Sequence, residues 1–348
     1  MSVISVNETE AVRLDPLQHV QEYCHRINAE HGFGPLAQHV RFQLNSGGKR
    51  IRARITISAC EAMGATWDDS VPFAAACELL HNASLVHDDL QDGDTIRRGR
   101  PALWATAGLA QAVTAGDLLL MLPMLCLDDE RYSPALRWYL TQSLCYRAAR
   151  TACGQSDELT LLSLPELPNR SDYVRAAIGK TGHFFALPIE GAALIAGRSS
   201  TVARAIGDAV LPMGLLYQVV DDIIDLYGDK GRGISGNDLR EGKFSALVAL
   251  HVERYPTQAN KAFRILKTPR SQTSESDVNS LIDTMRKNGT LQAAISWAWE
   301  LADNLRTHTQ LGTLPALRSV VLRIVDQIIA PLERIDISVP TNGVDNDQ

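Results

Sequence analysis

Between one turn signal and the next, nearly every segment of this chain repeats its apolar residues at three- to four-residue spacing. That spacing lays a single apolar stripe along an α-helix, and no run of strict alternation is left from which a sheet could be built. Helices are expected at about 15–30, 36–46, 50–64, 70–91, 106–128, 132–163, 171–197, 200–228, 241–253, 257–267, 274–288, 290–309 and 313–335. Their stops are legible. "MRKNG" sets bases in a last turn before Asn288-Gly289, "LIAGRSS" ends on Gly197, and "SDYVRAAIGK" opens on Ser171-Asp172. The interrupting loops "NSGGKR", "GDTIRRGRP", "SLPELPNRS" and "GDKGRGISGNDLREGK" are rich in Gly, Pro, Asn or Ser. No long linker divides the helices, so one all-α domain is expected over 13–337, with flexible tails at 1–12 and 338–348.

Charge narrows the function classes. The formal net charge is -6, and acids and bases are mixed along the chain, so no basic stripe marks a nucleic-acid partner. An anionic substrate would need local help from metals or clustered bases. The start "MSVISVNETEAVRLDP" lacks a basic region leading into an apolar core. No uninterrupted apolar run reaches the roughly 18–20 residues of a membrane span, which predicts a soluble, cytoplasmic protein. Cys24, Cys60, Cys77, Cys126, Cys145 and Cys153 are scattered without a CxxC pair, as reduced structural thiols would be.

Two segments echo each other: "LVHDDLQDGDTIRRG" and "YQVVDDIIDLYGD…DLREGK" each run apolar helix, DDxxD, then a basic glycine-containing stretch. On a helix Asp88 and Asp92 share a face, with Asp89 displaced by roughly 100°. Asp221, Asp222 and Asp225 repeat the pattern. One isolated DDxxD reads as a solvated acidic face, but the residues leading into both motifs (Leu79, Leu80, Leu85, Val86; Met213, Leu215, Leu216, Val219, Val220) belong to a core. The carboxylates therefore sit at the mouth of a cavity, where they repel one another unless a hard cation is bound. Oxygen ligands without His or Cys suit Mg²⁺, whose coordination substrate phosphates complete. Lys49 and Arg52 in "GGKRIR", Arg97 and Arg98, Lys180 in "GKTG" and Lys243 in "REGK" are each ordinary surface bases when taken singly. Beside two DDxxD motifs they describe a diphosphate clamp.

In its motifs the chain resembles the trans-isoprenyl diphosphate synthases (polyprenyl synthetases). "GGKRIR", "ELLHNASLVHDDLQDGDTIRRGRP", "AGD", "GQSDEL", "GKTG", "YQVVDDIID" and "DLREGK" occur in that family's order between Gly47 and Lys243. The resemblance implies a helical bundle around a central elongated cavity, usually in a homodimer. It implies a condensation of isopentenyl diphosphate with an allylic diphosphate (dimethylallyl, geranyl or farnesyl), with about three Mg²⁺ per site. Carried over, Asp88, Asp89, Asp92, Asp221 and Asp222 are metal ligands with Asp225 behind them. Lys49, Arg52, His81 and Arg98 form the isopentenyl side, and Arg97, Lys180, Thr181, Gln218 and Lys243 the allylic side. Released diphosphate takes the proton, so neither His81 nor His87 is needed as a base. The chain departs from the family pattern in several places. The lysine common near Ile234 is missing, with Arg232 nearby; Tyr217 replaces Phe; Glu158 with Asp157 stands for the expected acid after Gln155; Ala53 replaces Pro; and the C-terminus lacks a basic end. A terpene cyclase would need an NDxxSxxxE pattern, which "NDLREGKFS" does not supply. A non-catalytic synthase subunit would be expected to lose motif acids, and all six are present.

Product length is expected to turn on Ala83 and Ser84, five and four residues before Asp88. In the family an aromatic at either position stops the product at fifteen carbons. Both are small here, which moves the floor to Leu80 or Cys77, or to Leu120 or Met121 on the next long helix. One helical turn of about 5.4 Å admits about one more isoprene unit. Geranylgeranyl diphosphate is therefore the expected product, with farnesyl diphosphate the alternative.

Overall fold

Six helices among the described residues begin on a capping side chain: Asp15, Thr66, Ser133, Asn169, Ser199 and Ser245. Thr66 accepts from the Asp69 amide at 3.1 Å while the Asp69 carboxylate accepts from the Thr66 amide at 3.2 Å, a reciprocal box that starts the longest buried helix. The structure, a computed structural model, describes residues 15–163, 167–228 and 236–336. Arg232, Ile234 and the tails 1–12 and 338–348 lie outside the described residues.

The first half runs α1 (Pro16–His31), α2 (Gly34–Leu44), α3 (Ile51–Ala62), α4 (Trp67–Asp92), α5 (Leu103–Ala107), α6 (Leu109–Cys126) and α7 (Pro134–Thr160). Next come α8 (Arg170–Ala177), a π-helical turn at Ile178–Gly182, α9 (His183–Ile195), α10 (Ser200–Asp208) and α11 (Pro212–Tyr227). The remainder is α12 (Asn237–Arg240), α13 (Ala246–Arg254), α14 (Ala259–Lys267), α15 (Glu275–Lys287), α16 (Thr290–Arg306), α17 (Thr309–Gly312) and α18 (Pro315–Ile329).

Burial explains the order of packing. From Ser70 to Leu80 every residue of α4 is buried, as a helix apolar on all sides must be, and α1, α3, α6 and α9 pack around it. On the other side α11 packs against α16, α13 and α18. One continuous core joins the two groups.

Three sequence expectations need correction. The helix expected over 200–228 is two helices, because Pro212 has no amide to donate to the Asp208 carbonyl four residues back and its ring crowds that carbonyl. The cap of α8 is Asn169, paired with Asp172 three residues on, rather than Ser171-Asp172. "TIRRGRP" is no plain loop. Ile96–Arg97 and Arg100–Pro101 form an antiparallel hairpin whose two turn residues, Arg98 (φ 53°) and Gly99 (φ 73°), both take the left-handed conformation a tight hairpin requires. The expectation that no uninterrupted apolar run reaches the length of a membrane span stands: α6 passes by length and composition alone, but Asp117 interrupts it and it packs along α4.

The cysteines are all free. Cys24, Cys60, Cys77 and Cys126 are buried, whereas Cys145 and Cys153 are exposed.

Candidate active site

A cavity of about 1740 Å³ lies between α4, α7 and α11, with α3, α18 and the hairpin contributing to its wall. Lys49, Arg52, Leu80, His81, Ser84, Asp88, Arg97, Arg98, Lys180, Thr181, Gln218, Asp221 and Lys243 all line it. The structure thus brings together both sets of bases and one aspartate from each motif, from segments far apart in the chain.

The first basic cluster is built by glycines. Gly47 (φ 84°) and Gly48 (φ 119°) take conformations that side-chain-bearing residues avoid, and a Cβ on Gly48 would collide with the Arg98 guanidinium, which donates to the Gly47 carbonyl. Arg50 is left-handed at φ 51° and donates to the carbonyls of Leu44 at 2.8 Å and Gly47 at 3.1 Å. Arg50 and Arg98 are the two non-glycine residues with positive φ among the described residues, and both stand in this cluster. Backbone strain of about 1–3 kcal/mol each persists where the fold enforces it.

Arg52 lies over the Phe184 ring at 5.0 Å, and His81 meets the same ring edge-on at 5.8 Å. Burial, and then the fields of Arg52, Arg98 and Arg97, hold His81 well below the ordinary histidine range, so its imidazole is neutral. Glu78, buried, accepts from the Ala53 amide at 3.0 Å and pins the start of α3. Nε of Arg50 and Arg52, Nδ1 of His81 and Oε1 of Gln155 are buried in this wall without a protein hydrogen-bond partner. Such atoms suit a site that receives a polar ligand.

The acidic walls are more divided than their motifs suggest. Asp88 faces the cavity, and burial raises its carboxyl against the pull of Lys180. Asp92 holds Lys243 at 3.0 Å. Asp89, about 100° round the helix, is 1% exposed and ion-paired with Arg97; burial, opposed by Arg97, pushes its pKa up to about 6. On α11, Asp221 faces the cavity and Asp222 does not. The Asp222 carboxylate accepts from Tyr173 Oη at 2.8 Å, the Ala246 amide at 2.7 Å and Gln218 Nε2 at 3.0 Å. It therefore braces the first turn of α13, and burial outweighs these bonds to set its pKa at about 6. Asp225 accepts from the Asp238 amide at 3.0 Å. The resemblance makes Asp89 and Asp222 ligands with Asp225 behind them; here one oxygen of Asp89 meets Arg97, and both oxygens of Asp222 accept hydrogen bonds from protein donors. Among the described residues no three His, Cys, Asp or Glu side chains form a ready cage for a metal. The hard oxygen donors at the mouth nevertheless fit a Mg²⁺ completed by other ligands.

Lys180 sits in the π-helical turn, paired with Glu158. That turn is wedged between two helices by glycine contacts. A Cβ on Gly154 would overlap the backbone of Gly179 and Lys180, and one on Gly214 would overlap Gly182. Gly154, Gly179 and Gly182 belong to the motifs GQSDEL and GKTG, but neither their contacts nor Gly214 is marked in the sequence. Sequence reasoning also missed Arg50, Glu78 and Tyr173; the first two lay inside quoted motifs, whereas nothing local marks Tyr173. Thr181 Oγ1 donates to Gln218 Oε1 at 3.4 Å, continuing the chain to Asp222.

The chain-length expectation is corrected in part. Leu80, Ser84 and Asp88 are four apart and form one stripe on the wall, with Leu120 also lining it. Ala83 is fully buried on a different face of α4, Cys77 lies in the core, and Met121 is exposed.

The profile of the polyprenyl synthetases matches residues 35–285. A geranylgeranyl diphosphate synthase of Mycobacterium tuberculosis is 30% identical over 296 residues, 83% of this chain and 81% of that one. A farnesyl diphosphate synthase of Geobacillus stearothermophilus is 34% identical over 247 residues, 66% of this chain and 80% of that one. A polyprenyl synthase from Caulobacter crescentus, solved with calcium and isoprenyl diphosphate, superposes with a TM-score of 0.77 at 26% identity over 90% of this chain and 94% of that one. With motif order, fold and a match over most of its length agreeing, this chain belongs to the polyprenyl synthetase family of prenyltransferases.

Proposed function

We propose that the chain condenses isopentenyl diphosphate head-to-tail, in trans, with an allylic diphosphate, and that geranylgeranyl diphosphate is its main product. The observation that carries this reading is the pairing, in one cavity, of an arginine-glycine cluster with a second set of bases set among carboxylates. Two diphosphates can be held at once. Lys49, Arg52 and Arg98 anchor the isopentenyl substrate. Lys180, Arg97 and Lys243 meet the allylic diphosphate, where donors placed in advance stabilise charge that grows as the carbon–oxygen bond breaks. The isopentenyl double bond then attacks the allylic cation, and the proton lost leaves with the released diphosphate. Asp88, Asp92 and Asp221 would hold Mg²⁺, which supplies charge neutralisation on the leaving group. Asp89, Asp222 and Asp225 keep the surrounding walls in place.

Support for a twenty-carbon product comes from the stripe Leu80, Ser84, Asp88, on which the first side chain above the aspartate is small. Support for a homodimer comes from α6, where Leu109, Val113, Met121 and Leu125 repeat every four residues or multiples of four and are 61%, 38%, 51% and 38% exposed. A stripe of that kind suits a second copy of the chain.

Incubation with labelled isopentenyl diphosphate and each allylic primer in turn, with Mg²⁺ and then with chelator, tests the reading. Twenty-carbon product that disappears on chelation is expected. A fifteen-carbon product would move the assignment to farnesyl diphosphate, and absence of incorporation with every primer would overturn it.

A further inference from the structure

Lys243 carries more carboxylate contacts than a diphosphate ligand needs. Its ammonium lies 3.0 Å from Asp92, 2.9 Å from Glu241 Oε2 and 3.9 Å from Asp238. The other oxygen of Glu241, Oε1, lies 3.1 Å from Arg270 as an ion pair without hydrogen-bond alignment, and Arg270 lies 3.7 Å from Asp94. An ion-pair chain therefore runs Asp92, Lys243, Glu241, Arg270, Asp94. It begins and ends on the segment of the first aspartate motif and passes through the loop that follows the second.

The backbone keeps this chain in register. Gly242 is left-handed (φ 73°), and a Cβ there would stand 2.6 Å from the Leu266 carbonyl at the end of α14. The Lys243 amide donates to the Asp238 carbonyl at 2.8 Å. Arg270 follows α14 by only three residues, so the same contact that fixes Gly242 places Arg270 beside Glu241. The Glu241 side chain is 5% exposed and Arg270 is half-exposed.

We infer that Glu241, latched by Arg270, is a positioning residue that keeps Lys243 at the cavity rim when Asp92 turns to a divalent cation. This rests on the reading of the cavity as a diphosphate site. When Asp92 is taken, Lys243 loses one of its two close carboxylates. A free lysine side chain then has rotamer freedom to regain. Glu241 holds it against that loss, and Arg270 keeps Glu241 from following the ammonium inward. Asp92 and Glu241 thus have different tasks toward one lysine: the first yields it, the second retains it.

The test uses Glu241→Gln, Arg270→Gln and Arg270→Lys in the full chain, with two readouts. Calorimetry follows the binding of inorganic diphosphate with and without Mg²⁺, and steady-state kinetics gives the KM of each substrate. Glu241→Gln is expected to weaken Mg²⁺-dependent diphosphate binding and to raise the allylic KM by roughly ten-fold, as loss of a buried charged partner does. Arg270→Gln, on a half-exposed pair, should do so by roughly two- to five-fold, with Arg270→Lys restoring most of it. The isopentenyl KM should not move. Diphosphate binding and allylic KM unchanged in both Gln variants would overturn the inference, as would equal rises in both KM values, which would show a general loosening. Should wild-type protein transfer no prenyl group, the functional assignment falls, while the calorimetric arm still decides whether Glu241 and Arg270 govern diphosphate binding. If Glu241→Gln does not fold, the Arg270 pair of variants carries the test.

Discussion

Asp88 and Asp89 are adjacent and chemically identical, yet one faces the cavity and the other is ion-paired beneath Arg97. Their substitutions should therefore differ. Asp88→Ala and Asp221→Ala should each lose several kcal/mol of transition-state stabilisation in kcat/KM, the scale on which oriented charge acts. Asp89→Asn should lose less activity and lower Tm more, because it leaves Arg97 half-buried without its partner; kinetics and thermal unfolding of the three variants check this. A second residue-scale prediction concerns His183, 5% exposed, whose Nδ1 lies 3.1 Å from Arg147. Burial, and then the charge of Arg147, lowers its pKa to about 4. The folded protein keeps this imidazole neutral while the unfolded chain takes up a proton below about 6.5, so its contribution is present at neutral pH and is lost as pH falls from about 6.5 to 4. The contribution is at most about 3 kcal/mol. Denaturant unfolding between pH 4 and 7 should show a shallower loss of stability in His183→Gln than in the wild type; parallel curves would refute the role.

At the scale of elements, the two devices that matter are a stripe and a turn. Leu80, Ser84 and Asp88 share one face of α4, so Ser84→Phe should block the cavity one turn above the aspartates and shorten the product by at least one isoprene unit with the rate largely kept. Ala83→Phe, at a fully buried position, should instead overpack the core and cost about 1–3 kcal/mol. Product chromatography and thermal unfolding distinguish the two. The π-helical turn bearing Lys180 depends on Gly154, whose hydrogen faces the backbone of Gly179 and Lys180. Gly154→Ala must push that backbone away, and π-turns of this kind persist only under such constraint. Ionisation of the allylic substrate should slow more than isopentenyl binding weakens, as single-turnover kinetics would show.

For the whole molecule, the open question is what covers α6. The same helix that buries Ala112, Ala115, Leu119 and Leu122 presents Leu109, Val113, Met121 and Leu125 outward. Trp138, Tyr139 and Tyr146 of α7 are exposed as well. If a second copy of the chain covers this stripe, light scattering should give twice the 38.1 kDa chain mass, and Met121→Glu with Leu125→Glu should shift the protein to monomer. A monomeric wild type would remove the proposal.

The helical class, the two acidic motifs, the six bases and the capping glycines were all legible in the sequence, because each rests on local rules: period, spacing and turn chemistry. Most helix positions were legible too, and the exception at 200–228 was marked by Pro212 itself. What local rules could not decide was which of two adjacent aspartates meets the cavity. The 100° step between them is known from spacing, but its zero is set by what packs on the helix, here Arg97 over Asp89 and Tyr173 with the start of α13 over Asp222. The same held for Ala83 and Ser84, for the glycine pairs that seat Lys180, and for the chain of charge from Asp92 to Asp94. Those depend on residues up to 178 positions apart (Asp92 and Arg270) being joined through three successive ion pairs, and only the packed tertiary structure sets that proximity, since no periodicity in a single segment encodes it.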